Sequence, residues 1–153
     1  MAEILAIDYG EKRTGLAHSD AGQIFAFGLC TLETPKLLDF LQKYCKEKQV
    51  SCFVLGYPKN LDGTDTHATN MVEKFCETLQ KTFPLQKVIL FNEMFTSKMA
   101  MQSLWQADAK KKHKQNKALI DKLSATILLQ SYLAQTQVWF CLSIYTEIQC
   151  CAR

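Results

Sequence analysis

The hydrophobic pattern of this chain changes period repeatedly between residues 3 and 92, and the order of those changes admits few architectures. Glu3–Tyr9 (EILAIDY), Arg13–Ser19 and Gln23–Leu32 read as consecutive strands, separated by the turn-forming stretches Tyr9-Gly10-Glu11-Lys12 and Asp20-Ala21-Gly22. Pro35 then opens a helix, with Leu37, Leu38, Leu41, Tyr44 and Cys45 at helical spacing. Ser51–Tyr57 is a further strand, closed by Pro58 and the polar loop 59–64. A helix over about 66–82 follows, with Met71, Phe75 and Leu79 on one face, and Lys87–Asn92 is a short apolar strand. Ser97–Trp105 reads as helical, and Lys117–Leu133 is the clearest helix, with Leu119, Leu123, Ile127 and Leu128 as expected core positions. Successive strands make an antiparallel meander, and strand–helix–strand repeats continue it with parallel strands. The expected fold is therefore α/β, a mixed five-stranded sheet flanked by helices. Ala134–Arg153 is apolar without a clean period, and a strand, a helix or simple surface packing all remain open for it.

A length of 153 residues suits one compact domain. With 48% hydrophobic and 22% charged residues the chain has material for a real core, which excludes disorder as its overall state. The most apolar stretch, Val138–Tyr145, is far too short to span a bilayer. The start, Met1-Ala2-Glu3-Ile4, lacks the basic region of a secretory signal. Seven cysteines, an odd number without a C-x-x-C pair, read as reduced thiols in a cytosolic protein.

The formal charge of +3 is concentrated in one place. Lys110, Lys111, Lys112, Lys114, Lys117 and Lys122 face only Asp108 and Asp121 in that segment, and the rest of the chain is close to neutral. Such a run binds polyanions or is a solvated loop, and charge alone does not choose. Arg13 is one of only two arginines.

Three carboxylates lack an obvious local partner. Asp8 ends an apolar strand, where α/β sheets place their chemistry, although a turn cap toward Gly10 or Lys12 also accounts for it. Glu93 follows the strand 87–92 in the same manner, and alone it is an ordinary loop acid. Asp121 shares a helix face with Ala125, Leu128 and Tyr132, and small Ser124 and Ala125 one turn on would let the helix approach a sheet closely. An acid heading a core-facing stripe must be neutralised, paired or metal-bound, and Lys117 at i−4 is the local pairing candidate. Three carboxylates converging from separate elements suit Mg²⁺ or Mn²⁺, and beside a lysine-rich loop they point to metal-assisted phosphodiester hydrolysis.

Ile4-Leu-Ala-Ile-Asp8-Tyr-Gly10-Glu-Lys12-Arg13-Thr-Gly15-Leu-Ala17 resembles the opening motif of the YqgF/RuvX family, the pre-16S rRNA nucleases also called Holliday junction resolvases. Val54-Leu-Gly56-Tyr-Pro58-Lys-Asn60-Leu-Asp62-Gly63 resembles their second motif, Phe91-Asn92-Glu93-Met94-Phe95-Thr96-Ser97 their third, and Lys111-Lys112-His113-Lys114 with Ile120–Leu129 their last. Asn92 and Met94 depart from the Asp and Arg usual there. The resemblance implies an RNase H-like nuclease domain over residues 1–133, with 134–153 an apolar C-terminal extension rather than a separate domain. It assigns the catalytic and metal-binding roles to Asp8, Glu93 and Asp121. Nucleic-acid contacts are expected from Lys12, Arg13, Lys110, Lys111, Lys112, Lys114 and Lys117. The activity implied is endonucleolytic cleavage of structured RNA, in 5′-end processing of pre-16S rRNA, by a cytoplasmic monomer or weak dimer with no membrane partner. Resolution of branched DNA and a weakly catalytic assembly factor are the alternatives. His18, His67 and His113 are expected to be structural or solvated.

Overall fold

The computed structural model of the protein describes residues 2–57, 67–92 and 117–150. Its strands are β1 (Glu3–Asp8), β2 (Arg13–Ser19), β3 (Ala26–Glu33), β4 (Val50–Tyr57) and β5 (Lys87–Asn92). A 3-10 turn (Thr34–Lys36) holding Pro35 leads into α1 (Leu37–Glu47), α2 spans His67–Thr82, and α3 spans Lys117–Cys150. The sheet order is β3-β2-β1-β4-β5. β1, β2 and β3 pair antiparallel, whereas β1, β4 and β5 run parallel, so the expected meander plus parallel strands is the observed sheet.

Strand alternation sends successive side chains to opposite faces, and the core accordingly has two halves. On one face Leu5, Ile7, Leu16, Phe53 and Leu55 pack against Leu37 and Leu41 of α1 and Val72, Phe75, Cys76 and Leu79 of α2. On the other, Ile4, Ala6, Ala17, Cys52 and Val54 meet Ala125, Leu128, Leu129 and Leu133 of α3. Ala6, Ala17 and Ala125 on this face, with Gly15 and Gly28 beneath the helix, let α3 lie close to the strands. Phe91 of β5 closes that layer edge-on against Tyr132, with ring centroids 5.7 Å apart and planes at 90°.

Three expectations need correction. Gln23–Phe25 belong to the turn before β3, where Gln23 takes a positive φ of 55° and the Asp20 side chain gathers the backbone N–H groups of Gly22, Ile24 and Phe25. Leu119 is 38% exposed, and Leu123 and Ile127 are only half-buried. The face that α3 turns to the sheet is the Asp121–Ala125–Leu128 stripe, because only its small residues permit the approach. Finally, α3 does not stop at Leu133. No Gly or Pro occurs between residues 117 and 150, so nothing in the backbone ends the helix there. Its last fully buried side chain among those described is Leu133, and Ala134–Gln137 are exposed. The loop 59–64, the segment 97–105 and the lysines 110–114 lie outside the described residues.

Candidate active site

The parallel strands β1, β4 and β5 end on one edge of the sheet, at Asp8, Tyr57 and Asn92. Asp8 pairs with Gly15 across β1 and β2, and directly opposed residues of antiparallel strands point to the same face. A side chain at Gly15 would run into the backbone carbonyl of Asp121. The first turns of α3 therefore rest on Gly15, so the Asp121 backbone lies against the residue that pairs with Asp8 on the α3 face. Both carboxylates are half-buried. On its other side Asp8 adjoins β4, where Ile7 pairs with Leu55 and the following Gly56 pairs with Phe91. Asp8 thus stands between two glycines in the row Gly15–Asp8–Gly56–Phe91, and no neighbouring strand side chain crowds it before the Phe91 ring.

The loop after Asp8 is pinned by Thr34. Its hydroxyl donates to the Gly10 carbonyl (2.6 Å) and its backbone N–H to the Lys12 carbonyl (3.2 Å), while its Oγ1 lies 3.1 Å from Thr14 Oγ1. A side chain at Gly10 would collide with the Arg13 carbonyl, so the turn closes only with glycine there. Tyr9 stacks on Phe75 at 4.3 Å and 15°, and its burial raises the phenol pKa. The Tyr57 hydroxyl donates to Glu73 Oε1 at 2.5 Å, which ties the end of β4 to α2. Together these contacts hold the β1–β2 loop and the end of β4 on either side of Asp8.

Lys12 and Arg13 are both exposed at this edge, and Arg13 pairs across the sheet with Glu33. Glu33 is ion-paired to Lys36 at 2.7 Å, and that hydrogen bond, with a smaller contribution from Arg13, lowers its carboxyl pKa. Lys117 is the first residue of α3. Glu93, Lys110, Lys111, Lys112 and Lys114 fall outside the described residues. Among the described residues no three acids, histidines or cysteines form a metal-binding group. His18 lies at the far edge of the sheet, 3.5 Å from Glu3, which also accepts a hydrogen bond from the Tyr44 hydroxyl. Cys30, Cys45, Cys52 and Cys76 are free thiols, and burial pushes Cys52 up to about 11. No helix among the described residues is long and apolar enough to cross a membrane.

Two features of the site were not singled out from sequence. One is the structural role of Gly15 and Gly28, which only the position of α3 reveals. The other is Lys122, counted in the lysine-rich segment but not distinguished there from the lysines around it.

A family model described as RuvX, Holliday junction resolvase, matches residues 2–135. A protein of Flavobacterium johnsoniae is 45% identical over 134 residues, which are 88% of this chain and 97% of that one. A protein of Bacteroides fragilis is 46% identical over 133 residues, 87% of this chain and 96% of the other. Both carry the name "Putative pre-16S rRNA nuclease". Among solved structures, Thermus thermophilus RuvC in complex with a Holliday junction substrate is similar with a TM-score of 0.52 at 11% identity, over 89% of this chain and 96% of that one. The Fowlpox virus resolvase in complex with Holliday junction DNA is similar with a TM-score of 0.51 at 13% identity, over 88% and 98%. At such identities the likeness is one of fold, the RNase H-like sheet with its flanking helices.

Proposed function

This chain belongs to the RuvX family, and from that membership we propose that it is a metal-dependent endonuclease of structured RNA, acting in the cytosol on the 5′ end of pre-16S rRNA. The observation that carries the reading is the apposition of Asp8 and Asp121 across Gly15. Two half-buried carboxylates supplied by a strand end and a helix on the same face of the sheet are the kind of oxygen donors that a hard divalent cation takes. Nearly full-length relatives at 45–46% identity support RNA as the substrate class.

The donor set fits a hard divalent cation. Asp8 and Asp121 offer carboxylate oxygens, and Gly56, which carries no side chain on the β4 side of Asp8, leaves room there for an ion that keeps several waters. We assign Glu93, the residue after β5, as the third ligand. Asp8, Asp121 and Glu93 would hold Mg²⁺ or Mn²⁺, which would lower the pKa of a bound water so that hydroxide is available to attack phosphorus and would neutralise charge on the leaving oxygen. The protein's own part is to fix the two acids against the sheet, with Thr34 and the Tyr9–Phe75 stack fixing the loop beside them. Lys12, Arg13, Lys110, Lys111, Lys112, Lys114 and Lys117 hold the polyanion through its phosphates, and the enzyme works as a monomer or weak dimer. The family's own description favours a second reading, resolution of four-way DNA junctions by the same acids.

The test is incubation of the full chain with precursor 16S rRNA, a four-way DNA junction and plain duplexes, in Mg²⁺, Mn²⁺ or EDTA. Cleavage of the precursor that EDTA abolishes is the expected result. Asp8→Asn and Asp121→Asn are each expected to remove it while the thermal midpoint is kept or raised. Cleavage confined to the junction would establish the second reading. Binding without cleavage in either metal would make the chain an assembly factor.

A further inference from the structure

Lys122 follows Asp121 on α3, and a step of one residue turns the side chain about 100° around the helix. The acid therefore addresses β1 and β2, whereas Lys122 crosses to the edge strand β3. There it lies against Gly28. A Cβ at that position would stand 2.6 Å from Lys122 Cε, 2.8 Å from Cγ and 2.9 Å from Thr126 Oγ1. The alkyl stem is thus laid flat on bare strand backbone, and Thr126 Oγ1 donates to the Lys122 carbonyl at 2.9 Å within the same turn. A lysine stem laid on backbone in this way confines the direction of its terminal charge. Among the described residues Lys122 has no ion-pair partner, in contrast to Lys36, which is bound to Glu33.

Gly28 pairs with Ala17, which pairs with Ala6, so it lies two strands across and two residues inward from Asp8. Strand spacing and rise put that separation at about 12 Å. A charge at this distance is too remote for the scissile phosphate and suited to a phosphate further along the same backbone.

We propose that Lys122 is a built phosphate contact of the nucleic-acid substrate, which leads the strand from the Asp8–Asp121 site across the α3–β3 flank of the sheet. This inference rests on the nuclease reading and adds to it a direction for the substrate. The ligand is backbone phosphate, without base recognition. Lys122 acts as a binding residue, separate from the catalytic acids and from the lysines 110–114 that precede α3 in the sequence.

The experiment is fluorescence anisotropy in EDTA, so that cleavage plays no part, with a labelled hairpin of the precursor rRNA and a labelled four-way DNA junction over a range of salt. Lys122→Gln is expected to weaken binding by roughly two- to fivefold. It should also flatten the dependence of log K on log salt by about 0.7–0.9, one contact's worth. Lys122→Arg should restore both. Lys43→Gln, which removes the same charge from the exposed side of α1, should change neither. Gly28→Ala keeps the net charge but displaces the stem, and it should reproduce the loss in a protein whose circular dichroism melt stays cooperative. In cleavage assays Lys122→Gln should raise KM and leave kcat, as expected of a contact away from the reacting phosphate. A full salt slope in Lys122→Gln, or equal losses in Lys43→Gln, would overturn the inference and leave the nuclease reading standing. Failure of the unmodified protein to bind either probe would remove both.

Discussion

Gly15 carries no side chain, and α3 occupies the space. A methyl group there would meet the Asp121 carbonyl, which is backbone and cannot swing aside as a side-chain tip can. Gly15→Ala should therefore cost about 1–3 kcal/mol, as overpacking does, and should lift the start of α3 off β2. The expected outcome is a lowered denaturation midpoint together with loss of cleavage under conditions where the variant is still folded. Retained cleavage in a folded Gly15→Ala protein would show that the spacing of Asp8 and Asp121 is not critical. The sequence made both acids legible for different reasons. Asp8 was visible because an Asp closes an apolar strand, and Asp121 because it heads a stripe ending in Leu128 and Tyr132. Their convergence was read from their positions at a strand end and on a core-facing helix stripe, but the contact that sets their spacing was not legible. It depends on the pairing of Asp8 with Gly15 and on a glycine acting at long range, and neither leaves a mark in the local pattern of either residue.

Among the elements, β3 is an edge strand, and its exposed backbone groups are a hazard that the fold covers from α3. The Gln130 side chain donates to the Ile24 carbonyl (3.2 Å) and accepts from the Ala26 N–H (3.0 Å). One side-chain amide thus takes the position of a neighbouring strand's peptide group, next to the exposed Ile24, Phe25 and Phe27. Gln130→Leu should cost about 1 kcal/mol for the two solvent-accessible bonds, and should raise light scattering at high protein concentration more than it lowers the thermal midpoint. Unchanged scattering would mean that the edge is protected by other means. The turn entering β3 has a pH dependence of its own. Hydrogen bonds from the Phe25, Ile24 and Gly22 N–H groups hold the Asp20 carboxyl below its ordinary pKa. A depressed folded-state pKa stabilises the fold above the unfolded value, and the contribution disappears as pH falls through the folded one. The stability gap between the natural protein and Asp20→Asn should accordingly be present at neutral pH and shrink on acidification below the usual carboxylate range. A gap independent of pH would assign the effect to geometry alone. Element order was readable from the alternation of periods, and the bounds of β2 and β5 agree with it residue for residue. The start of β3 was not, because Ile24 and Phe25 continue the apolar run while Asp20 draws their N–H groups into a turn. The reach of α3 was missed because its apolar residues after Leu133 lose the 3.6-residue period. The absence of Gly and Pro was the signal that it continues.

At the scale of the whole molecule, α3 belongs to two regimes. Its first half is buried against β1, β2 and β3 through Ala125, Leu128, Leu129 and Leu133. From Ala134 to Gln137 every residue is exposed, yet the helix runs on to Cys150. The family model ends at residue 135, and relatives that align over 133 or 134 residues are matched over 96–97% of their own length. The family match thus ends close to the last described core side chain, Leu133. Helix continuity by itself contributes little stability, since most comes from a packed face rather than from propensity. A chain ending after Gln137 should therefore fold with a thermal midpoint within a few degrees of the full protein's. It should keep nucleic-acid binding with an unchanged salt slope, because Lys12, Arg13 and the lysines up to Lys122 all precede the cut. A second comparison separates stability from association. If the extension packs between two copies, sedimentation of the full chain should show a concentration-dependent dimer that the shortened chain lacks. A shortened chain that melts well below the full protein would instead show that residues 138–150 pack on their own domain, and would move the domain boundary past Leu133 to the end of the helix.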